Sequence, residues 1–214
     1  MKNPQFRRIG AAFVGFGLAA SATVVAAGPA GAANPELGTT SLAKVLAADG
    51  QKFDDKAKDF DIVEAALYAV LDAKPTSPLR RIANGKTRVT AFLPTDGAFR
   101  AFVKDLTGKS VSKESNVLGD VVEIAGSVDV VEAILLYHVV AGKILTSPKV
   151  LKADGQAIET ALGESFRVNV NKSGVLLKDK DTDDANPSVV MLDINRGNRQ
   201  VAHGIDKVLR PINL

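Results

Sequence analysis

The chain has 214 residues, 46% hydrophobic and 24% charged, a balance that suits a folded domain rather than a disordered segment. It holds no Cys and two His, at 138 and 203, which excludes a disulfide framework, a thiolate metal site, an iron–sulfur cluster, a cysteine nucleophile and a three-His metal centre. Three of the 27 cations (Lys2, Arg7, Arg8) precede residue 34 and the first acid is Glu36, so the remainder carries 24 charges of each sign and offers no bulk positive field for nucleic acid.

Residues 1–33 divide into a basic head, an uncharged apolar middle over 9–27, and the small-residue run Gly28-Pro29-Ala30-Gly31-Ala32-Ala33. That is the layout of a secretory signal peptide, cut after Ala32 or Ala33. The apolar stretch is long enough to span a bilayer, but Pro29 and Gly31 break it just ahead of the cut site. No later segment is apolar for long enough to cross a membrane. The mature chain is expected to be secreted, extracellular or associated with the cell envelope, without membrane insertion.

Residues 34–40 read as a flexible lead-in and 41–214 as one domain. A helical pattern (Leu42, Val45, Leu46) starts at Ser41 and ends in a turn at Asp49-Gly50. Asp61 and Glu64 read as reciprocal caps of a second helix with the stripe Ile62, Ala65, Ala66, Ala69 and Val70. Pro75 and Pro78 close it. Residues 87–93 alternate as a strand with Val89, Ala91 and Leu93 on one face, and Pro94 stops it. Thr95 caps a helix carrying Ala98, Phe99, Phe102, Val103 and Leu106, which ends at Gly108. Residues 107–119 read as a loop, 121–125 as a short helix, and Asp129 with Glu132 as the capping pair of a helix through Ala133, Ile134 and Leu136. After Gly142 the period shortens to two. Segments 144–150, 157–162, 166–170, 175–178, 189–194 and 201–209 read as strands, with a hairpin turn at Asn171-Lys172-Ser173-Gly174. Helices followed by closely spaced strands predict an α+β fold with a largely antiparallel sheet.

Three segments carry a signature: Thr90-Ala91-Phe92-Leu93-Pro94-Thr95-Asp96-Gly97-Ala98-Phe99, Leu135-Leu136-Tyr137-His138-Val139-Val140-Ala141-Gly142-Lys143, and His203-Gly204-Ile205-Asp206-Lys207-Val208-Leu209-Arg210-Pro211. In this order and spacing they closely resemble the fasciclin domain, an extracellular adhesion module, over residues 40–214. The resemblance implies a fasciclin-like fold, helices packed on a wedge of about seven mostly antiparallel strands. It implies structural roles for Thr90, Phe92, Pro94, Asp96, Phe99, His203, Ile205, Asp206, Val208, Leu209 and Pro211. It also implies no catalysis, and a binding module that contacts extracellular or cell-wall protein or polysaccharide. Self-association through exposed sheet edges stays open. The family usually has Asn-Gly ahead of the third segment; this chain has Asn195-Arg196-Gly197-Asn198-Arg199-Gln200, where Gly197-Asn198 is expected to supply the positive φ angles.

The resemblance marks Tyr137 and His138 as the binding candidates. Flanked by Leu135-Leu136 and Val139-Val140, Tyr137 reads as core with one polar partner for its hydroxyl, and strand alternation sends His138 to the opposite face. The pair is therefore expected to support the adhesive surface from behind. His203 reads as a hydrogen-bonded core imidazole beside Val201 and Ile205. Asp96 reads as a carboxylate favoured by the first turn of its own helix, and Asp206-Lys207 as an exposed pair. Asp179, Asp181 and Asp183 match the first three ligand positions of an EF-hand, but Asp184 replaces the required Gly and Val190 the closing Glu, so a solvated hairpin loop is expected and no metal. Arg80-Arg81 with Lys86 and Arg88, and Arg196 with Arg199, form two basic loops with two readings: side chains that are simply solvated, as most such residues are, or a surface for anionic polymers. No phosphate loop or cofactor motif appears. The competing readings are a carrier of a small apolar ligand in a cleft between helices and sheet, and an envelope hydrolase, which lacks a Gly-x-Ser-x-Gly elbow.

Overall fold

The computed structural model describes residues 36–50, 52–54 and 56–212; the leader expected over 1–33 lies outside them. Strands β1 (Val89–Pro94) and β7 (Gln200–Ile205) pair in parallel from Val89 opposite Gln200 to Pro94 opposite Ile205, and every residue of both is buried. Parallel strands covered on both faces are continuous apolar runs, and these two wall off two cores. Val89, Ala91, Leu93 and Ala202 face a helical core; Phe92 and Ile205 face a second one. Strand β2 (Val139–Ala141) joins β1 and β6 (Val189–Ile194) joins β7, both antiparallel, which gives the order β2-β1-β7-β6. A second sheet of β3 (Ala157–Glu159), β4 (Ser165–Asn171) and β5 (Gly174–Lys178) is antiparallel throughout. The Leu177 N–H donates to the Pro187 carbonyl at 2.8 Å, which ties β5 to the chain entering β6.

Helices α1 (Leu42–Leu46), α2 (Asp61–Ala73), α3 (Asp96–Thr107), α4 (Glu114–Ala125) and α5 (Val128–Tyr137) each bury apolar side chains in the helical core. The short helix α6 (Ser147–Lys152) sends Val150 into the second core. The described residues thus form the α+β fold that was expected, with seven strands and a single parallel pairing among them.

Several local expectations are corrected by tertiary partners. Residues 147–152 are helix α6 rather than strand, because Pro148 sits in the first turn, where its missing N–H costs nothing. Helix α4 begins at Glu114, inside the expected loop, with Arg100 paired to the buried Glu114 carboxylate at 2.8 Å. The expected strand over 201–209 ends at Ile205, and that over 157–162 ends at Glu159. Asp61 does not cap α2. Its N-cap is Phe60, and the Asp96 carboxylate accepts from the N–H groups of Asp61 (3.2 Å) and Ile62 (3.0 Å) instead. At α5 the cap is Ser127, which accepts from the Val130 N–H, while Asp129 and Glu132 both bind Lys74. Positive φ angles before β7 belong to Asp193, Asn195 and Gly197, not to Asn198. Thr95 and Gly108 bound α3 as expected.

Gly85, in the turn before β1, marks where the chain crosses itself. A Cβ there would lie 1.8 Å from the Thr39 carbonyl oxygen, a backbone atom that cannot swing away. Gly85→Ala is expected to lower the urea midpoint by about 1–3 kcal/mol of stability, the cost of overpacking. Ala83→Ser, exposed two residues earlier, changes it by less than about 0.5 kcal/mol.

Candidate functional site

Helix α5 ends at Tyr137, His138 is its C-cap, and β2 starts at Val139. Helix geometry rather than strand alternation therefore aims the two side chains, and neither reaches solvent: Tyr137 is 0% and His138 2% exposed. The Tyr137 hydroxyl donates to the Ser165 carbonyl at 3.1 Å, and its ring meets Phe166 edge-on at 6.3 Å. Phe166 meets Phe92 edge-on at 5.1 Å, and Phe92 stacks on His203 at 5.4 Å. The His138 Nδ1–H donates to the Ile134 carbonyl at 2.7 Å, while Nε2 accepts from the Leu209 N–H at 2.9 Å. The His138 carbonyl accepts from the Phe92 N–H at 2.9 Å. One residue thus ties α5, β1 and the C-terminal segment together.

The other signature residues surround the same seam. His203 Nε2–H donates to the Leu145 carbonyl (2.7 Å), and its Nδ1 accepts from the Asp193 N–H (3.3 Å). The Asp193 carboxylate accepts from the N–H (2.7 Å) and hydroxyl (2.6 Å) of Ser147. The Thr90 hydroxyl donates to the Lys143 carbonyl at 3.0 Å and accepts from the Leu145 N–H at 2.8 Å. Pro94, Phe99, Ile205, Val208 and Leu209 are buried and Pro211 is half-buried. Asp206 is exposed and accepts from the Ser188 N–H at 2.7 Å.

The acidic groups are spent inside the protein as well. Burial, opposed by the Ile62 N–H and reinforced by Asp59, pushes the Asp96 carboxyl up to about 8. Asp54, Asp59, Asp61 and Glu114 bring carboxylate oxygens within 4.8 Å of one another, the spacing a cation needs. Arg100 pairs with Glu114 and Lys56 with Asp54, so the protein's own cations engage two of the four carboxylates. The run 179–184 is a loop that is only partly solvated: Lys180, Thr182 and Asp183 are exposed, but Asp181 is buried. Asp179 accepts from the Arg210 N–H at 2.8 Å, and the buried Asp181 holds the Arg210 guanidinium at 2.8 Å. Asp105 (2.6 Å) and Asp184 (3.5 Å) flank that guanidinium, which lies 5.2 Å over the Phe102 ring. Arg210 stands inside the third signature segment, yet nothing in its spacing from the acidic run announces the pairing.

A cleft of about 450 Å³ lies beside α2 and is lined by Lys52, Phe53, Asp61, Glu64, Ala65 and Tyr68. The space between helices and first sheet, walled by Leu67, Leu93, Leu135 and His138, is about 20 Å³, room for a water but not for a ligand. Among the described residues no helix is long and apolar enough to cross a membrane.

The family model described as the fasciclin domain matches residues 65–211. Among solved structures, a FAS1 domain pair from the insect cell adhesion molecule fasciclin I is similar at 16% identity and a TM-score of 0.47. The match covers 68% of this chain and 46% of that one, so the chain spans about half of that pair. Among curated proteins nothing matches.

Both imidazoles are neutral, since each donates through one nitrogen and accepts through the other. Burial pushes His138 from 6.5 down to about 4 and lowers His203 as well. As pH falls below 6.5 the unfolded chain takes up the proton first, so the His138 contribution is complete above 6.5 and is lost toward pH 4, a loss of about 3 kcal/mol. The raised carboxyls run the other way. Their stabilisation is present in acid and fades as pH rises through about 6 for Asp179, where burial is the main cause, and through about 8 for Asp96. His138→Gln isolates the histidine part. The urea midpoint of the wild-type chain is expected to fall more than that of the variant between pH 6.5 and 4. A nitrogen titration of the His138 ring with a midpoint above about 6 contradicts this assignment.

Proposed function

The chain belongs to the fasciclin domain family, and on that footing we propose that it is an exported, non-enzymatic adhesion module contacting protein or polysaccharide outside the cell or at its envelope. In this reading residues 1–33 are the export signal, 34–40 a lead-in and 41–214 the working domain. The observation that carries it is the fate of the polar signature groups. Tyr137, His138, His203 and Asp96 are buried, and each is hydrogen-bonded to the protein's own backbone. General acid–base or nucleophilic chemistry needs such groups within reach of a substrate atom. What the domain offers to the outside is contour and surface charge. Tyr137 and His138 support the adhesive surface from behind, by fixing how α5, β1 and the second sheet meet. A carrier of apolar ligands finds too little room between helices and sheet.

Tyr137→Phe keeps the ring and loses the bond to Ser165, which is expected to cost about 1 kcal/mol and to leave retention of the purified chain on a cell-envelope fraction unchanged. Tyr137→Ala opens a cavity at a cost of about 3–5 kcal/mol, and its retention falls only in step with the folded fraction. Loss of retention at unchanged thermal stability refutes the supporting role. Multiple turnover on a panel of esters, glycosides and peptides, abolished by one polar substitution, refutes the non-enzymatic reading.

A further inference from the structure

The two basic loops meet at one end of the first sheet. Gln200, wholly buried, is the joint: its amide N–H groups donate to the carbonyls of Arg81 (2.6 Å) and Asn84 (2.8 Å), the first of them 119 residues away. Its Oε1 accepts from the Leu42 N–H at 2.8 Å. The Thr87 hydroxyl donates to the same Arg81 carbonyl at 2.9 Å, and the Val89 N–H donates to the Arg199 carbonyl at 3.2 Å. Arg88 and Arg199 therefore lead into neighbouring strands, about 4.8 Å apart in the ladder, with Arg80, Arg81 and Lys86 on the adjoining turn and Arg196 in the β6–β7 connection. Arg80, Arg81, Lys86, Arg88 and Arg196 are exposed, and Arg199 is half-exposed.

Two carboxylates answer them: Glu36 lies 3.9 Å from Arg199, and Asp193, already bonded to Ser147, lies 3.6 Å from Arg196. Among the described residues no carboxylate pairs with Arg80, Arg81, Lys86 or Arg88. A shallow cleft of about 400 Å³ opens on the turn itself, lined by Arg80, Arg81, Ala83, Asn84 and Thr87. Residues 34–214 carry 24 charges of each sign with these cations included, so this is a local concentration of one sign.

Deepening the adhesion reading, on which it rests, we propose that this end of the sheet is the docking face for an acidic polysaccharide, a glycan carrying carboxylate, sulfate or phosphate groups. Guanidinium groups match the paired oxygens of such anions. The cleft offers no aromatic ring on which bases stack, which separates it from single-stranded nucleic acid. It also offers no large apolar anchor of the kind that protein hot spots and membrane-lying helices use.

Heparin and polygalacturonate serve as sulfate and carboxylate probes, titrated calorimetrically into the full chain at low and at physiological salt. R81Q/K86Q/R88Q removes three exposed cations whose side chains make no hydrogen bond among the described residues. It is expected to weaken binding by about tenfold or more and to flatten its salt dependence. R196Q/R199Q, on the other loop, weakens it in the same sense. K104Q/K109Q/K113Q, an equal charge change in the last turn of α3 and the connection to α4, stays within about twofold of wild type. Equal loss in the control, no binding of either glycan, or equally tight binding of polyglutamate or phosphatidylglycerol vesicles overturns the assignment. Envelope retention measured in parallel separates the two readings. Wild-type retention by R81Q/K86Q/R88Q removes this face while leaving the adhesion module standing, whereas retention lost together with glycan binding supports both.

Discussion

The parallel pairing of β1 with β7 is the constraint from which the rest of the domain follows. It joins residues more than a hundred positions apart in sequence, Val89 opposite Gln200, so everything between must leave the pair and return to it. Because both faces of these strands are buried, no polar group on them can be left to water. Thr90, Gln200 and His203 are the polar side chains on this wall, and each draws a particular loop against it. Thr90 and His203 hold residues 143–145, and Gln200 holds the Arg81–Thr87 turn together with the start of α1. Loop placement is thus a consequence of hydrogen-bond satisfaction at the seam, not of loop sequence alone.

Charge inside the domain obeys the same rule. Arg210 is buried among Asp105, Asp181 and Asp184, and removing one partner of such a group leaves an uncompensated ion, a cost far above that of a surface pair. The C-terminal segment is fastened through this guanidinium, through the Arg210 N–H on Asp179 and through the Leu209 N–H on His138. Asp96 does the equivalent work at the other side of the helical core, where it begins one helix and caps another. These fastenings explain how a fasciclin domain without a disulfide keeps its segments in register.

What was legible in the sequence was what a single helical turn or strand decides. Ser41 and Thr95 cap from within one turn, Gly108 ends α3 through its own left-handed φ, and Asn171–Gly174 turns a hairpin between residues it touches. Illegible were the decisions taken by distant partners. The α2 cap comes from Asp96, 35 residues on, so the local Asp61–Glu64 pattern pointed to the wrong donor of the cap. The apolar run through Tyr137 and His138 has a period too short to tell a helix end from a strand, and only packing against Phe166 and Leu209 decides it. The acidic run looked like a solvated loop because its cation, Arg210, lies outside any local window.

That division has a functional reading. Most of the signature residues are interior, Asp206 being exposed and Pro211 half-buried, so they specify a scaffold that can be shared by domains with different partners, and specificity has to reside in the segments the scaffold leaves outside. The stretch Asn195–Arg199 is where this chain departs from the usual tight turn, and the departure is structurally accommodated. Asn195 and Gly197 adopt positive φ, and the Asn195 side chain donates to the carbonyls of Thr40 and Gln200 at 2.8 and 3.0 Å. The longer turn costs the seam none of its hydrogen bonds while carrying Arg196 and Arg199 to the edge that Arg81 and Arg88 already occupy.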